Sequence, residues 1–317
     1  MDFGVVKKSP KILKWEALFI METIIICENL MKIYKTSEIE VIALQGLDLR
    51  VKRGEMLAII GSSGSGKTTL LNILGGLVEP SAGKIVIDGI DLSKISDKDN
   101  CKYKSETVGF IWQNSEKNLI PYLTAIENIE MVMKLRGNHD RKKAEQLLQS
   151  VGLINKKNSK LKQLSGGEQQ RVAIAIGISS NPKILLADEP TGSVDSATAS
   201  DIMNVFRRLQ KESDLTIIIV THDNKLAAKV DRVVLIRDGR TSTEYIKKED
   251  DQNDYLDVDI DFEMTNKSHD EYAVLDNVGR LQIPSDLMER AGLNGKDRVK
   301  LVFEDGNITI QNCNGEK

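Results

Sequence analysis

The sequence predicts an α/β fold: a mixed sheet around a glycine-rich loop, an antiparallel β part before that loop, a helical insert after it, and a small, mostly β unit at the end. Three observations carry this reading. Gly61-Ser62-Ser63-Gly64-Ser65-Gly66-Lys67-Thr68 has the spacing G-x-x-x-x-G-K-[ST], between the apolar run Met56 to Ile60 and the helix-like Thr69-Leu70-Leu71-Asn72-Ile73-Leu74. A second apolar run, Ile184 to Ala187, ends in Asp188 and Glu189, as a buried parallel strand does at the ligand edge of an α/β sheet. An acidic stretch over residues 247–271 then separates the bulk of the chain from a tail with strand and hairpin signals.

Composition bounds the function classes. The chain has 317 residues, 40% hydrophobic and 29% charged, with a net charge of −3. That is a globular composition with no bulk attraction to nucleic acid or anionic membrane. Its 3 cysteines, Cys27, Cys101 and Cys313, stand far apart, which fits neither a zinc site nor a disulfide framework. No uncharged apolar run reaches the ~18 residues of a membrane span, so another polypeptide would have to supply any spans.

Taken in order, residues 1–22 carry Lys7, Lys8, Lys11 and Lys14 before Trp15-Glu16-Ala17-Leu18-Phe19-Ile20. A signal peptide's longer core and small-residue cleavage site are missing. A disordered extension, or a start placed before Met21, is expected; an amphipathic surface segment is the alternative. Thr23 to Cys27 and Ile39 to Val51 read as strands with Tyr34 between them. That tyrosine can stack on a purine or pack half-buried. Lys84 to Asp88 reads as a strand ending in an Asp-Gly turn, and Val108 to Trp112 as a strand with Gln113 at its end. Residues 124–151 show helical spacing broken at Gly137. Ser165 is a good N-cap for the helix opened by Gly166-Gly167-Glu168, a turn that can meet an anion or simply cap. Leu215 to Val220 reads as a buried strand that puts His222 on the ligand edge. In the tail, Ala273 to Leu275, Leu281 to Ile283, Arg298 to Phe303 and Ile308 to Ile310 read as strands and Ser285 to Ala291 as a helix. About 45 residues bury too little core to stand alone, so oligomerisation is expected.

The chemistry follows from residue types. Glycines let backbone N–H groups wrap an anion, Lys67 reaches β- and γ-phosphates, and the Thr68 hydroxyl binds Mg²⁺. Asp188 can hold the metal shell and Glu189 can polarise water. His222, beyond the end of a central strand, is placed to touch the γ-phosphate.

Residues 23–246 resemble the nucleotide-binding subunit of an ABC transporter. Gly61 to Thr68 is similar to the Walker A loop, Gln113 to the Q-loop glutamine, Leu164 to Glu168 (LSGGE) to the family signature, and Ile184 to Glu189 to Walker B. Ser193-Val194-Asp195 is similar to the D-loop, His222 to the switch histidine and Tyr34 to the adenine-stacking aromatic. Val41 to Leu44, Leu119 to Asn128 and Asp188 to Gly192 are similar to the macrolide-export and lipoprotein-release group, whose permeases are of the FtsX type. Two departures stand out. The stretch Gln113 to Leu119 is about two residues longer than in that group, and Ile176 replaces an arginine.

The resemblance implies an ATPase with ATP and Mg²⁺ as cofactors, in which two copies sandwich two nucleotides. It implies catalytic roles for Glu189, His222 and Gln113 and metal roles for Thr68, Gln113 and Asp188. Nucleotide contacts come from Tyr34, Gly61, Ser62, Gly64, Ser65, Gly66, Lys67, Thr68 and Thr69. Ser165 and Gly167 come from the second copy, with Gly166 and Asp195 also in the nucleotide-binding set. The expected partner is an FtsX-type permease on a separate chain, which places the protein on the inner face of the cell membrane. Residues 272–317 resemble the AbrB-type swapped-hairpin domain, in Asp276 to Pro284 and Gly292 to Val299. Many members of that family bind DNA, and the alternative function is an ATP-dependent regulator whose tail does so. Here Arg280, Arg290, Lys296, Arg298, Lys300 and Lys317 are offset by Asp276, Asp286, Glu289, Asp297, Glu304, Asp305 and Glu316. With no net positive charge the tail reads as a dimerisation unit. Rival soluble ABC ATPases would show two cassettes or a long coiled coil, and neither is present.

Overall fold

The computed structural model describes residues 22–35, 39–113, 118–192, 194–223, 226, 229–248, 269–276, 279–283, 285–293, 298–304 and 307–312. All but Glu22 of the expected N-terminal extension, residues 249–268 of the acidic stretch, 114–117 after Gln113, Ser193 and the turn at 305–306 lie outside them. In chain order the elements are β1 (Thr23–Lys35), β2 (Glu40–Lys52), β3 (Met56–Ile60), α1 (Lys67–Leu74), β4 (Ala82–Ile87), β5 (Ile90–Asp91), α2 (Asp97–Glu106) and β6 (Val108–Ile111). Next come α3 (Ala125–Leu135), α4 (Arg141–Ser150), α5 (Gly166–Gly177), β7 (Ile184–Asp188), α6 (Ser196–Ser213), β8 (Thr216–Val220), β9 (Arg232–Arg237), β10 (Arg240–Lys247) and β11 (His269–Ala273). The last are α7 (Ser285–Arg290), β12 (Val299–Glu304) and β13 (Asn307–Asn312).

The main sheet runs β11-β10-β9-β3-β8-β7-β6, with β9, β3, β8, β7 and β6 parallel. Strands β3, β7 and β8 are buried at every position, because each face of the sheet has its own core. Met56, Ala58, Leu185, Ala187, Ile217 and Ile219 point to one side, onto the insert helices and α6. Leu57, Ile59, Ile184, Leu186, Ile218 and Val220 point to the other. There α1 lies between this sheet and the antiparallel sheet β2-β1-β4-β5, burying Leu70, Leu71, Ile73 and Leu74. At about 1.5–3 kcal/mol for each fully buried side chain, those four residues clamp the helix that follows the glycine loop.

Local signals explain the element ends. The Asp88-Gly89 turn has φ of 49° and 80°, the left-handed pair a tight hairpin needs, and joins β4 to β5. Capping boxes start α3 (Thr124 with Glu127) and α5 (Ser165 with Glu168), and Asp140 caps α4. Among the described residues no helix is long and apolar enough to cross a membrane.

The structure corrects the sequence reading at three places. Tyr34 does not lie between two strands. It sits near the end of a single 13-residue β1, opposite Val41 of β2, because irregular pairing near Asn29, itself left-handed at φ 50°, lets the strand continue. The acidic stretch ends before residue 271: His269 is buried with Nε2 3.3 Å from the Val230 carbonyl, and β11 edges the main sheet. Asp270 pairs with Lys248 at 3.5 Å and Glu271 accepts from the Tyr245 hydroxyl at 3.2 Å, so these carboxylates are strand residues. Third, Leu275 and Leu281 form an isolated bridge in place of two strands.

The chain divides into two compact units, residues 1–272 and 273–317. The second holds α7 and the β12–β13 hairpin, in which Leu301 faces Ile310 and Phe303 faces Ile308.

Candidate functional site

At the carboxyl end of β3 the chain turns through Gly61, Gly64 and Gly66, with φ of 155°, 79° and 101°. A Cβ on Gly61 would lie 2.3 Å from the Ile236 carbonyl oxygen, and one on Gly66 2.4 Å from that of Ala43. Only glycine brings the backbone this close while pointing its N–H groups inward. The loop runs into the N-terminus of α1, whose first turn holds no acidic side chain to compete for an anion. Lys67 arches back over the loop, its Nζ donating to the Gly61 and Ser62 carbonyls at 2.8 Å each. Burial lowers the pKa of this ammonium, against the opposing pull of Glu189 and Asp188. Ser65 is buried and its Oγ has no partner.

Two strands away, β7 delivers a pair of acids to the same edge. Burial first, and then the charge of Glu189, push the Asp188 carboxyl above its ordinary range, while a Thr68 hydrogen bond and Lys67 pull it back. Glu189 is left-handed at φ 46°, held by its N–H donating to the Val220 carbonyl at 2.8 Å. One carboxylate oxygen, Oε1, lies 2.8 Å from Nδ1 of His222, whose side chain is 72% exposed. The other, Oε2, is buried without a partner among the described residues.

These groups line one cleft of about 530 Å³. It is lined by Gly61, Ser63, Gly64 and Gly66 of the loop, by Lys67, Thr68 and Thr69, by Gln113, Asp188, Glu189 and His222, and by Tyr34, Val41, Ile42 and Ala43. Ser62 and Ser65 belong to the loop but do not line the cleft. The exposed apolar residues Val41 and Ile42 were not singled out as site residues by sequence; the signal was their place beside Tyr34 on the neighbouring strand.

Four of the expected residues lie elsewhere. Ser165, Gly166 and Gly167 start α5, and Asp195 caps α6 by accepting from Thr198 N–H at 2.9 Å. A Cβ on Gly167 would fall 2.1 Å from Cγ2 of Thr198, so this glycine also lets α5 approach α6.

The donor set suits Mg²⁺. Among the described residues no group of three or more His, Cys, Asp or Glu could cage a metal. Mg²⁺ does not need one: it takes one or two carboxylates and hydroxyls and fills its shell with water and phosphate oxygens. An Asp188 carboxyl driven upward by burial and a like charge, bonded to the Thr68 hydroxyl, is a site short of a cation.

Comparison with known proteins places this geometry. The family profile described as ABC transporter matches residues 44–192. The ABC transporter ATP-binding protein MJ0796 of Methanocaldococcus jannaschii is 42% identical over 224 residues, 68% of this chain and 94% of that protein. The lipoprotein-releasing system ATP-binding protein LolD of Legionella pneumophila is 43% identical over 216 residues, 66% and 93% respectively. The macrolide export ATP-binding/permease protein MacB of Syntrophobacter fumaroxidans is 42% identical over 217 residues, 67% of this chain but 30% of that longer protein. Among solved structures, dimeric MJ0796 bound to ADP and Pi superposes with a TM-score of 0.64 at 39% identity, over 70% of this chain and 98% of that one.

Proposed function

The chain belongs to the ABC transporter family as an ATP-hydrolysing ATP-binding subunit, and from that premise we propose how its residues divide the work and what it drives. Lys67 and the N–H groups of the glycine loop hold the β- and γ-phosphates, and Tyr34 stacks on the base. Thr68 and Asp188, with Gln113 at the mouth, are the groups placed to hold Mg²⁺. When bound, Mg²⁺ draws charge from the phosphate oxygens. Glu189 then takes a proton from the water that attacks the γ-phosphate. His222 fixes the Glu189 carboxylate and reaches toward the phosphate. Catalysis is mainly positioning and charge stabilisation.

The observation that carries this reading is the Glu189–His222 pair: a 2.8 Å contact, with the second carboxylate oxygen buried and unpartnered in the cleft that holds the glycine loop. Ser165, Gly166, Gly167 and Asp195 lie outside that cleft, at the N-termini of α5 and α6. We assign them to a second copy's nucleotide, in a sandwich of two chains. In a chain without residues 272–317, Glu189→Gln should be a monomer without nucleotide and a persistent dimer with Mg²⁺ and ATP, by light scattering. A chain that stays in its nucleotide-free state would contradict the sandwich.

The partner we propose is an FtsX-type permease on a separate chain, which would hold the protein at the inner face of the membrane. The support is the likeness to lipoprotein-releasing and macrolide-export proteins at 41–43% identity. For the tail we propose an AbrB-like swapped hairpin that dimerises. Leu301, Phe303, Ile308 and Ile310 share one face of the β12–β13 hairpin, and the first three are 67%, 73% and 72% exposed. A lone two-stranded hairpin is marginal, and a second copy would bury that face. Nucleotide-free full-length protein should therefore be a dimer at micromolar concentration. A monomer there would remove this role, and a salt-dependent gel shift would favour DNA.

A further inference from the structure

Away from the nucleotide cleft, a polar cavity of about 330 Å³ opens where the ends of α2, α3 and α5 meet the start of α4. Arg136, the residue that ends α3, lines it together with Asn138, Lys143, Ser105 and Ser180. Elsewhere in this protein the arginines nearest the core are paired: Arg207 with Asp231, and Arg232 with Glu55 and Glu244. Arg136 has no such partner among the described residues, and its Nη1 is shielded from solvent without a hydrogen bond. Two of the carbonyls that end α3 are already taken. Met133 accepts from the backbone N–H groups of Arg136 and Asn138, and Lys134 from that of Gly137.

Ser180, which also lines the cavity from the turn that leads into β7, has a buried Oγ with no partner among the described residues. Lys143 supplies a second cation, with no ion pair among the described residues. The Glu106 carboxylate lines the cavity too, but it is largely exposed and sits 4.0 Å from Lys102. Burial lowers the pKa of the Arg136 guanidinium, the direction expected of a cation without its counter-charge.

We propose that this cavity is a binding site for a phosphate-type oxyanion, bonded by the Arg136 guanidinium and the Ser180 hydroxyl, with Lys143 as the second charge. A planar guanidinium takes two oxygens of such an anion at once, and a serine hydroxyl can donate to a third. The cavity has room for the group that carries the phosphate. Arg136 and Lys143 stand on the helical insert and Ser180 before β7, so an occupant would tie the insert to the strand that carries Asp188.

The test uses the full chain with its nucleotide cleft filled by Mg²⁺ and a non-hydrolysable ATP analogue, so that the glycine loop cannot take the probe. Inorganic phosphate and glycerol phosphate are then titrated by calorimetry; the first stands for a free ion and the second for a phosphate carried on a larger molecule. Saturable binding of one equivalent of either probe is expected. It should weaken by about tenfold or more in Arg136→Gln, the worth of a charged hydrogen bond, and by several-fold in Ser180→Ala. Ser180→Ala alone decides the matter if the arginine variant does not fold. Absence of saturable binding, or binding indifferent to these substitutions, would overturn the site.

Discussion

The two ends of β7 handle buried acids in opposite ways. Just before the strand, Lys183 bonds to Asp88, which Arg53 also meets at 2.6 Å. Burial alone would raise the Asp88 carboxyl, but its bonds to Lys183 and Arg53 more than offset that and hold it below the ordinary range. Just past the strand, Asp188 is raised by burial and by its like-charged neighbour Glu189, whose Oε2 has no partner. Both ends also carry an acidic residue in the left-handed region, Asp88 at φ 49° and Glu189 at φ 46°. A structural acid is completed by the chain itself. The pair past the strand is left short of positive charge, which fits the bound metal and nucleotide we propose for it.

Substitutions at the two ends should therefore differ in kind. The largest effect on nucleotide affinity belongs to the cation that faces the acid pair. Lys67→Ala should weaken ATP binding by about 10- to 100-fold, the worth of a charged hydrogen bond to phosphate, while the fold persists. Unchanged affinity by calorimetry would break the contrast at its functional end.

Asp88→Asn should lower stability by about 1–2 kcal/mol in urea unfolding, discounted because Arg53 and Lys183 are 40% and 57% exposed. Nucleotide affinity should not change. A carboxyl held low stabilises the fold above its unfolded pKa and loses that contribution as pH falls through the folded value. The gap between wild type and Asp88→Asn should thus close in acid.

Asp188→Asn should act with the opposite sign and a smaller size. A carboxyl held high costs stability once the unfolded chain would ionise it. The cost grows as pH rises from about 3.9 and is complete above the raised folded value. Without nucleotide, this variant should be more stable than wild type at neutral pH, by on the order of 1 kcal/mol or less, and equal to it below about pH 3.9. A variant less stable than wild type at pH 7 would show that Asp188 is already satisfied.

Much of the nucleotide cleft was legible because its residues are fixed by short-range spacing. The glycine loop must follow a strand and precede a helix, and Asp188, Glu189 and His222 lie at or just past the ends of fully buried strands. Less legible was whatever depends on partners distant in sequence. Asp270 and Glu271 read as solvated charge because Tyr245 on β10 and Lys248 just past it, which meet them, are distant in sequence. Val41 and Ile42 read only as apolar residues of a strand, yet they are 53% and 47% exposed and line the cleft with Tyr34. That Arg136 and Ser180 line one cavity leaves no pattern in sequence, since the two lie on separate parts of the chain brought together only by packing.

The central claim is that Glu189, just past β7 and paired with His222, does the chemistry. Its most direct measurement is phosphate release from ATP and Mg²⁺ by the full chain and by Glu189→Gln, with bound nucleotide measured in the same samples. The account predicts undiminished nucleotide binding with turnover lowered at least about 100-fold, the scale of a lost general base. Near-normal phosphate release from the variant would contradict it.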